Sequence, residues 1–447
     1  MNSATLQQLL RATLFHTPRN PFVAQGALEA YADGGLLIAN GRVVACGDYA
    51  TLRKQHPDAT VRDLRGGFIL PGLVDTHIHY PQMRVLGSLG LGLLDWLKKY
   101  ALPEEARMAR EEYARAVALE FVNALAANGT TTALVFGAHF ESATATLFES
   151  AAERGLRITS GLVVSDRMLR DELHQTPDAA YRASKELIRR FHGKGRLLYA
   201  VTPRFALSTS EAMLEMCQTL MREHPDVRFQ THLNENPQEI AEVQKLFPSA
   251  KDYTAVYERY QLIGARSVLA HNLHSNGSEL QRLAGSKATV AHCPCSNAAL
   301  GSGWFPLRRH LQAGVRVALG TDVGGGTGFS LFKEALQAYM LQRLAPEGVL
   351  LEPAHFLYLA TRAGAEALGL DNEIGDFAPG KAADFVYLKP PVTNPLASIA
   401  ANAAGPERLL AAIFTLAGAD CVREVNVEGS PVYSSHADDP GNQHAQA

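Results

Sequence analysis

Two histidines separated by one residue, His77 and His79, stand in the stretch VDTHIHYPQ. On a β-strand, side chains at i and i+2 leave the same face, so both imidazoles would aim at one point. Three more residues follow short aliphatic runs in the same manner: His232 in QTHLNEN, His271 in LAHNLH and Asp322 in LGTDVGGG. Neutral imidazoles with a carboxylate suit a divalent cation of borderline softness, zinc first and iron next, with an open position for water. An ion so held lowers the pKa of its water towards neutrality and supplies hydroxide, which makes hydrolysis the natural reaction. Glu235, three residues beyond His232, is placed to protonate a substrate atom, and Asp322 to accept the water proton, giving a two-carboxylate acid and base arrangement.

Residues this far apart in the chain need a scaffold that gathers strand ends. Between about Phe68 and Leu319, eight strand-like runs occur: GGFILPGLVDT, TTALVFGA, LRITSGLVV, RLLYAVT, VRFQTHL, ARSVLAHN, KATVAHC and VRVALGTD. They alternate with helical patterns such as EEYARAVALEFVNALAANG, which ends in a glycine stop, and STSEAMLEMCQTLMREH, which opens on serine and threonine caps. This alternation predicts an α/β fold, a (β/α)8 TIM-like barrel over residues 68–372, with the candidate residues at the C-terminal strand ends where barrels carry their sites. The flanks read differently. GGLLIANGRVVACGD is a hairpin pattern turning at Asn40-Gly41, and IGDFAPGKAADFVYL and VREVNVEGSPVY are again strand-like. Residues 1–67 and 373–435 are therefore expected to build one small β-sandwich domain from both chain ends, followed by a polar tail at 436–447.

Bulk properties narrow the partner. Of 447 residues, 42 are Lys or Arg and 45 Asp or Glu, a net charge of −3 that suits neither nucleic acid nor an anionic membrane surface and leaves a small molecule. Five scattered cysteines argue against a disulfide framework and for a reducing compartment. With no signal-like start and no stretch approaching a membrane span, a cytoplasmic location is expected. The Cys293-x-Cys295 pair lacks the second pair of a zinc cluster and reads as packing. His139 and His292 also fall at strand ends; His139 is placed either to touch substrate or to cap its loop, His292 reads as a partner of loop backbone, and neither is taken as a ligand. Gly324, Gly325 and Gly326 match neither the GxGxxG nor the GxxxxGK phosphate pattern and read as a tight turn beside Asp322.

Taken together, PGLVDTHIHYPQ, Pro203-Arg204-Phe205, THLNEN, HCPCSNAALGSG, ALGTDVGGG and FAPGKAADFVYL resemble the amidohydrolase superfamily of metal-dependent hydrolases over nearly the whole chain, and within it the guanine deaminases. The resemblance implies zinc-dependent hydrolytic deamination of guanine to xanthine and ammonia, with one zinc per subunit, or iron in its place. It implies His77, His79, His232 and Asp322 as metal ligands, Glu235 as proton shuttle, and His271 holding the attacked or leaving group. Gln82, Arg204 and Phe205 would recognise guanine, Trp96 and its neighbours would help roof the pocket, and the protein would be a homodimer. The chemistry is consistent, because guanine offers a 6-carbonyl oxygen to a guanidinium donor and Gln82 can both donate and accept. RLLYAVTPRF contains no lysine that could be carboxylated to bridge two metals, which favours a single ion. Related deaminases acting on 8-oxoguanine, another aminopurine or an s-triazine such as ammeline would share the ligands and differ in the pocket. A catalytically dead scaffold would be expected to have lost some ligands, and none is missing.

Overall fold

Eight short parallel strands, Leu73–His79, Thr130–Phe136, Arg157–Gly161, Leu197–Pro203, Arg228–Leu233, Ser267–His271, Thr289–His292 and Arg316–Leu319, pair in chain order in the computed structural model, which describes residues 7–435. Nearly every residue in them is buried, so they carry continuous apolar runs instead of an alternation, as strands covered on both faces do. The eighth strand returns to the first and closes the barrel. Thr76 Oγ1 donates to Leu319 O at 2.7 Å, Asp322 N–H to His77 O at 2.8 Å and His79 N–H to Val323 O at 3.0 Å. The seam of the barrel thus runs directly through the HxH segment and the TD pair.

The helices between strands form as their sequences direct. Glu111–Ala127 buries Ala114, Val117, Ala118, Phe121, Val122 and Leu125, a stripe at helical spacing, and its chain turns at Gly129 with φ +85°. Glu211–Glu223 starts at Ser210, whose hydroxyl accepts from Met213 N–H. After the fifth and sixth strands, Asn236 with Glu239 and Asn276 with Glu279 form capping boxes, which fix where the chain leaves the catalytic face.

Both chain ends build one further sheet of seven strands, ordered Ser430–Ser434, Val422–Val427, Phe385–Leu388, Thr60–Pro71, Gln7–His16, Glu29–Ala39 and Arg42–Asp48. The expected hairpin is present: Asn40 and Gly41 both have positive φ, as a two-residue turn between twisted strands requires. Leu10, Leu36, Val43, Ile69 and Phe385 give this sheet a core of its own. The strand Thr60–Pro71 leads through Gly72 straight into the first barrel strand. Arg157, at the start of the third barrel strand, donates to Asp384 Oδ2 at 2.7 Å and to Glu428 Oε1 at 2.9 Å, and Arg196 donates to Glu428 Oε2 at 2.7 Å. These pairs tie the sheet to the end of the barrel opposite the candidate site. Among the described residues no helix is long and apolar enough to cross a membrane. The polar tail expected at 436–447 lies outside the described residues.

Candidate active site

The HxH pair comes from the first strand, and its backbone is pinned by a neighbour. Asp75, wholly buried, accepts from His77 N–H and Thr321 N–H at 3.1 Å and from Thr321 Oγ1 at 2.5 Å, so one carboxyl splices the first strand to the turn carrying Asp322. Burial raises its pKa to about 7. Asp322 itself sits at φ +48°, and His271, ending the sixth strand, at φ +71°. Such left-handed positions cost a non-glycine residue about 1 kcal/mol or more and persist where surrounding structure imposes them, commonly at functional sites.

These turns bring four donors together. The ligand atoms of His77, His79, His232 and Asp322 all lie within 4.8 Å of one another, and all four residues are buried. His77 Nε2 and His79 Nε2 stand 3.2 and 3.3 Å from Asp322 Oδ1, and His79 Nε2 stands 3.2 Å from His232 Nε2. His232 Nδ1 lies 2.6 Å from Arg204 O; a carbonyl can only accept, so Nδ1 carries the proton and Nε2 presents a lone pair to the site. Burial pushes all three imidazoles down, His79 to about 4, and so keeps them neutral. Burial works against the Asp322 carboxylate, but His77 and His79 hold it well below the ordinary carboxylate range. Lone pairs converging in a dry site, with an ionised carboxylate among them, fit a divalent cation in donor number and type. Phe136 walls one side, its ring centroid 5.0, 4.5 and 4.7 Å from those of His77, His79 and His232.

Beside the donor set lie a carboxyl and an imidazole. Glu235 follows the left-handed Asn234 after the fifth strand, and its N–H donates to the Glu239 carboxylate at 3.1 Å. Its own carboxyl, 2% exposed, is driven well above the usual range by burial and then by the Asp322 charge. It lies 3.4 Å from His271 Nε2, and Ser302 Oγ approaches it at 3.5 Å. His271 Nδ1 meets Asn297 Oδ1 at 2.9 Å, which sets the ring so that Nε2 faces Glu235 and, at 3.8 Å, Asp322 Oδ2. Asn297 and Ser302 both belong to the HCPCSNAALGSG stretch.

A second buried cluster joins Gln82 and Arg204. Both bind Glu105, Gln82 Nε2 at 2.7 Å and Arg204 Nη1 at 2.8 and 3.0 Å, and His139 Nε2 approaches the same carboxylate at 3.2 Å. Gln82 Oε1 accepts from Gly324 N–H at 3.2 Å. Phe205 is buried with its ring centroid 6.2 Å from that of His232, and the Arg204 guanidinium stands 5.8 Å from the Phe205 ring. Trp96 ends the helix Leu93–Trp96 and is buried in the main apolar cluster; the chain after it continues to the helix Leu102–Ala106, which packs on Tyr80–Val85 and delivers Glu105 beside Gln82.

Residues 68–432 match the model of the amidohydrolase family, and residues 34–59 match an imidazolonepropionase-like composite domain of bacteria. The chain belongs to the amidohydrolase family. A probable guanine deaminase of Deinococcus radiodurans is 56% identical to this amidohydrolase over 437 residues, spanning 96% of this chain and 100% of that one. The solved structure of the Escherichia coli guanine deaminase superposes with a TM-score of 0.91 at 40% identity, covering 97% of this chain and 100% of the other. A guanine deaminase of C. acetobutylicum with guanine bound in its active site superposes with a TM-score of 0.88 at 26% identity, covering 96% and 100%.

The structure of this amidohydrolase brings together every residue singled out from the sequence as a ligand or proton carrier. His292 stays apart from the donor set, stacked on Phe305 at 4.1 Å with burial holding its pKa down to about 3. Cys293 and Cys295 are buried thiols in packing positions. Sequence reasoning missed Asp75, Phe136, Asn297 and Glu105, and set aside His139. Asp75 lies two residues before the HxH pair, and that proximity was the available signal. Glu105 had none, because LPEEARM offers two adjacent glutamates, and only the fold shows that Glu104 turns to Arg107 and Tyr113 while Glu105 turns inward.

Proposed function

We propose that this chain is a zinc-dependent guanine deaminase, which hydrolyses guanine to xanthine and ammonia. The observation that carries the reading is one buried site in which the His77, His79, His232 and Asp322 donors adjoin Glu235 and His271, with Arg204 and Gln82 held by a common partner. Identity of 56% to a probable guanine deaminase over 100% of that protein's length supports it. Three neutral imidazoles and a carboxylate are a donor set that zinc accepts. Bound there, zinc supplies Lewis acidity, bringing the pKa of water towards neutrality.

In this reading Arg204 donates to the 6-carbonyl oxygen of guanine, Gln82 donates and accepts at the same ring edge, and Phe205 packs beside the purine under a roof that includes Trp96. The oxygen of water adds to the carbon bearing the exocyclic amine. One water proton passes to Asp322 Oδ2, and Glu235 gives its proton to the neighbouring ring nitrogen. His271, whose Nδ1–H is committed to Asn297, accepts at Nε2 from the newly added hydroxyl. The proton on Asp322 then passes to the amine, which departs as ammonia. The hydroxyl becomes a carbonyl and its proton returns to Glu235, so both water protons are accounted for.

Ammonia release should be measured from guanine, adenine, cytosine, 8-oxoguanine and ammeline, using protein of measured zinc content. The expected result is turnover of guanine far above the others. A zinc-loaded protein inert on guanine but active on another of these rings would overturn the substrate and leave a hydrolase.

A further inference from the structure

Glu105 occupies the centre of the side chains assigned to the purine, yet it has little left to offer a ligand. A carboxylate presents about four lone-pair sites. Three of these are taken, by Gln82 Nε2 and by Arg204 Nη1 on both oxygens, and His139 Nε2 stands 3.2 Å from Oε2. We infer that Glu105 is a positioning residue for purine recognition: its carboxylate holds Arg204 and Gln82 in the orientations that read the carbonyl edge of guanine. The inference rests on the deaminase reading above and names the residue that makes that subsite specific.

Three observations carry it. Arg204 is 3% exposed, and a guanidinium taken out of water needs a counter-charge, which Glu105 supplies from a position 2% exposed. An amide such as Gln82 can bind either way round, but a carboxylate only accepts, so Glu105 fixes the Nε2 end and turns Oε1 to the Gly324 N–H. Arg204 also supplies the carbonyl that sets the His232 ring, so its placement serves the purine subsite and the donor set at once. Glu105 therefore fixes substrate relative to the reacting centre without touching either.

The test compares zinc-loaded wild type, E105Q, E105D, R204A and E105Q/R204A. The probe is hypoxanthine, which keeps the 6-carbonyl but lacks the amine and so is bound without being hydrolysed; its affinity is read by calorimetry. E105Q should weaken hypoxanthine by about tenfold or more and raise KM for guanine similarly, with a smaller change in kcat and zinc still at one per chain. E105D should recover part of the loss. In the R204A background the loss caused by E105Q should shrink to about threefold, the part carried by Gln82, because Arg204 is the other of its two routes to the purine. If E105Q does not fold, E105D takes its place in the same cycle. Hypoxanthine affinity within about twofold of wild type, or the full loss persisting beside R204A, would overturn the inference while guanine turnover by wild type upheld the reading. Wild type inert on guanine would overturn both.

Discussion

At the residue scale, the decisive environment is that of Glu235. Burial and the Asp322 charge keep a proton on it, and His271 Nε2 and Ser302 Oγ lie beside its two oxygens at 3.4 and 3.5 Å. Glu235→Gln keeps the shape and loses the proton, so kcat should fall by about 10³-fold while zinc content stays at one per chain. Steady-state kinetics paired with metal analysis checks this; turnover within about tenfold of wild type would take Glu235 out of the proton path. What was legible at this scale follows a pattern. His77 and His79 were readable because two residues of one strand share a face, and His232, His271 and Asp322 because each ends a strand of the same barrel. Glu105 and Asn297 were not, since each acts through a partner about 100 or 26 positions away and nothing local marks a side chain whose role is to hold another.

At the scale of elements, strand composition and helix caps told where the barrel strands and helices would fall, because full burial and capping leave local signatures. The closure was not legible: the hydrogen bonds joining the turn at Asp322 to the HxH strand connect residues some 245 apart. Close strand approach is equally silent in sequence. Gly161, ending the third strand, would place a Cβ 1.8 Å from Ala200 O of the neighbouring strand, and no side-chain rotation relieves a clash with backbone. Gly161→Ala must therefore spread the third and fourth strands just below Arg204. An overpacked core position costs about 1–3 kcal/mol, so thermal unfolding of a chain this long should shift down by about 1–3 °C. Differential scanning calorimetry of the zinc-loaded variant reads this directly, and an unchanged midpoint would mean that the strands part there without cost.

At the scale of the whole molecule, the sheet built from both chain ends and the barrel meet through the Arg157, Arg196, Asp384 and Glu428 cluster, on the face away from the chemistry. Hydrogen bonding from Arg196 first, and the charges of Arg157 and Arg196, hold the Glu428 pKa below the ordinary range. A carboxylate with a depressed folded pKa contributes stability that is fully present above its unfolded value of about 4.3 and is lost as pH falls through the folded value. Because the Glu428 side chain is 40% exposed, solvent screening limits that contribution to about 1 kcal/mol or less at neutral pH. Glu428→Gln should accordingly lower stability at pH 7 by an amount of that order, and the gap to wild type should close as pH falls below about 4. Urea unfolding at a series of pH values measures both curves. Since the cluster lies opposite the candidate site, kcat for guanine at pH 7 should be the same in both proteins below the unfolding range. A gap that stayed constant from neutral to acid pH would mean that Glu428 stabilises the junction by packing its side chain and not by its charge.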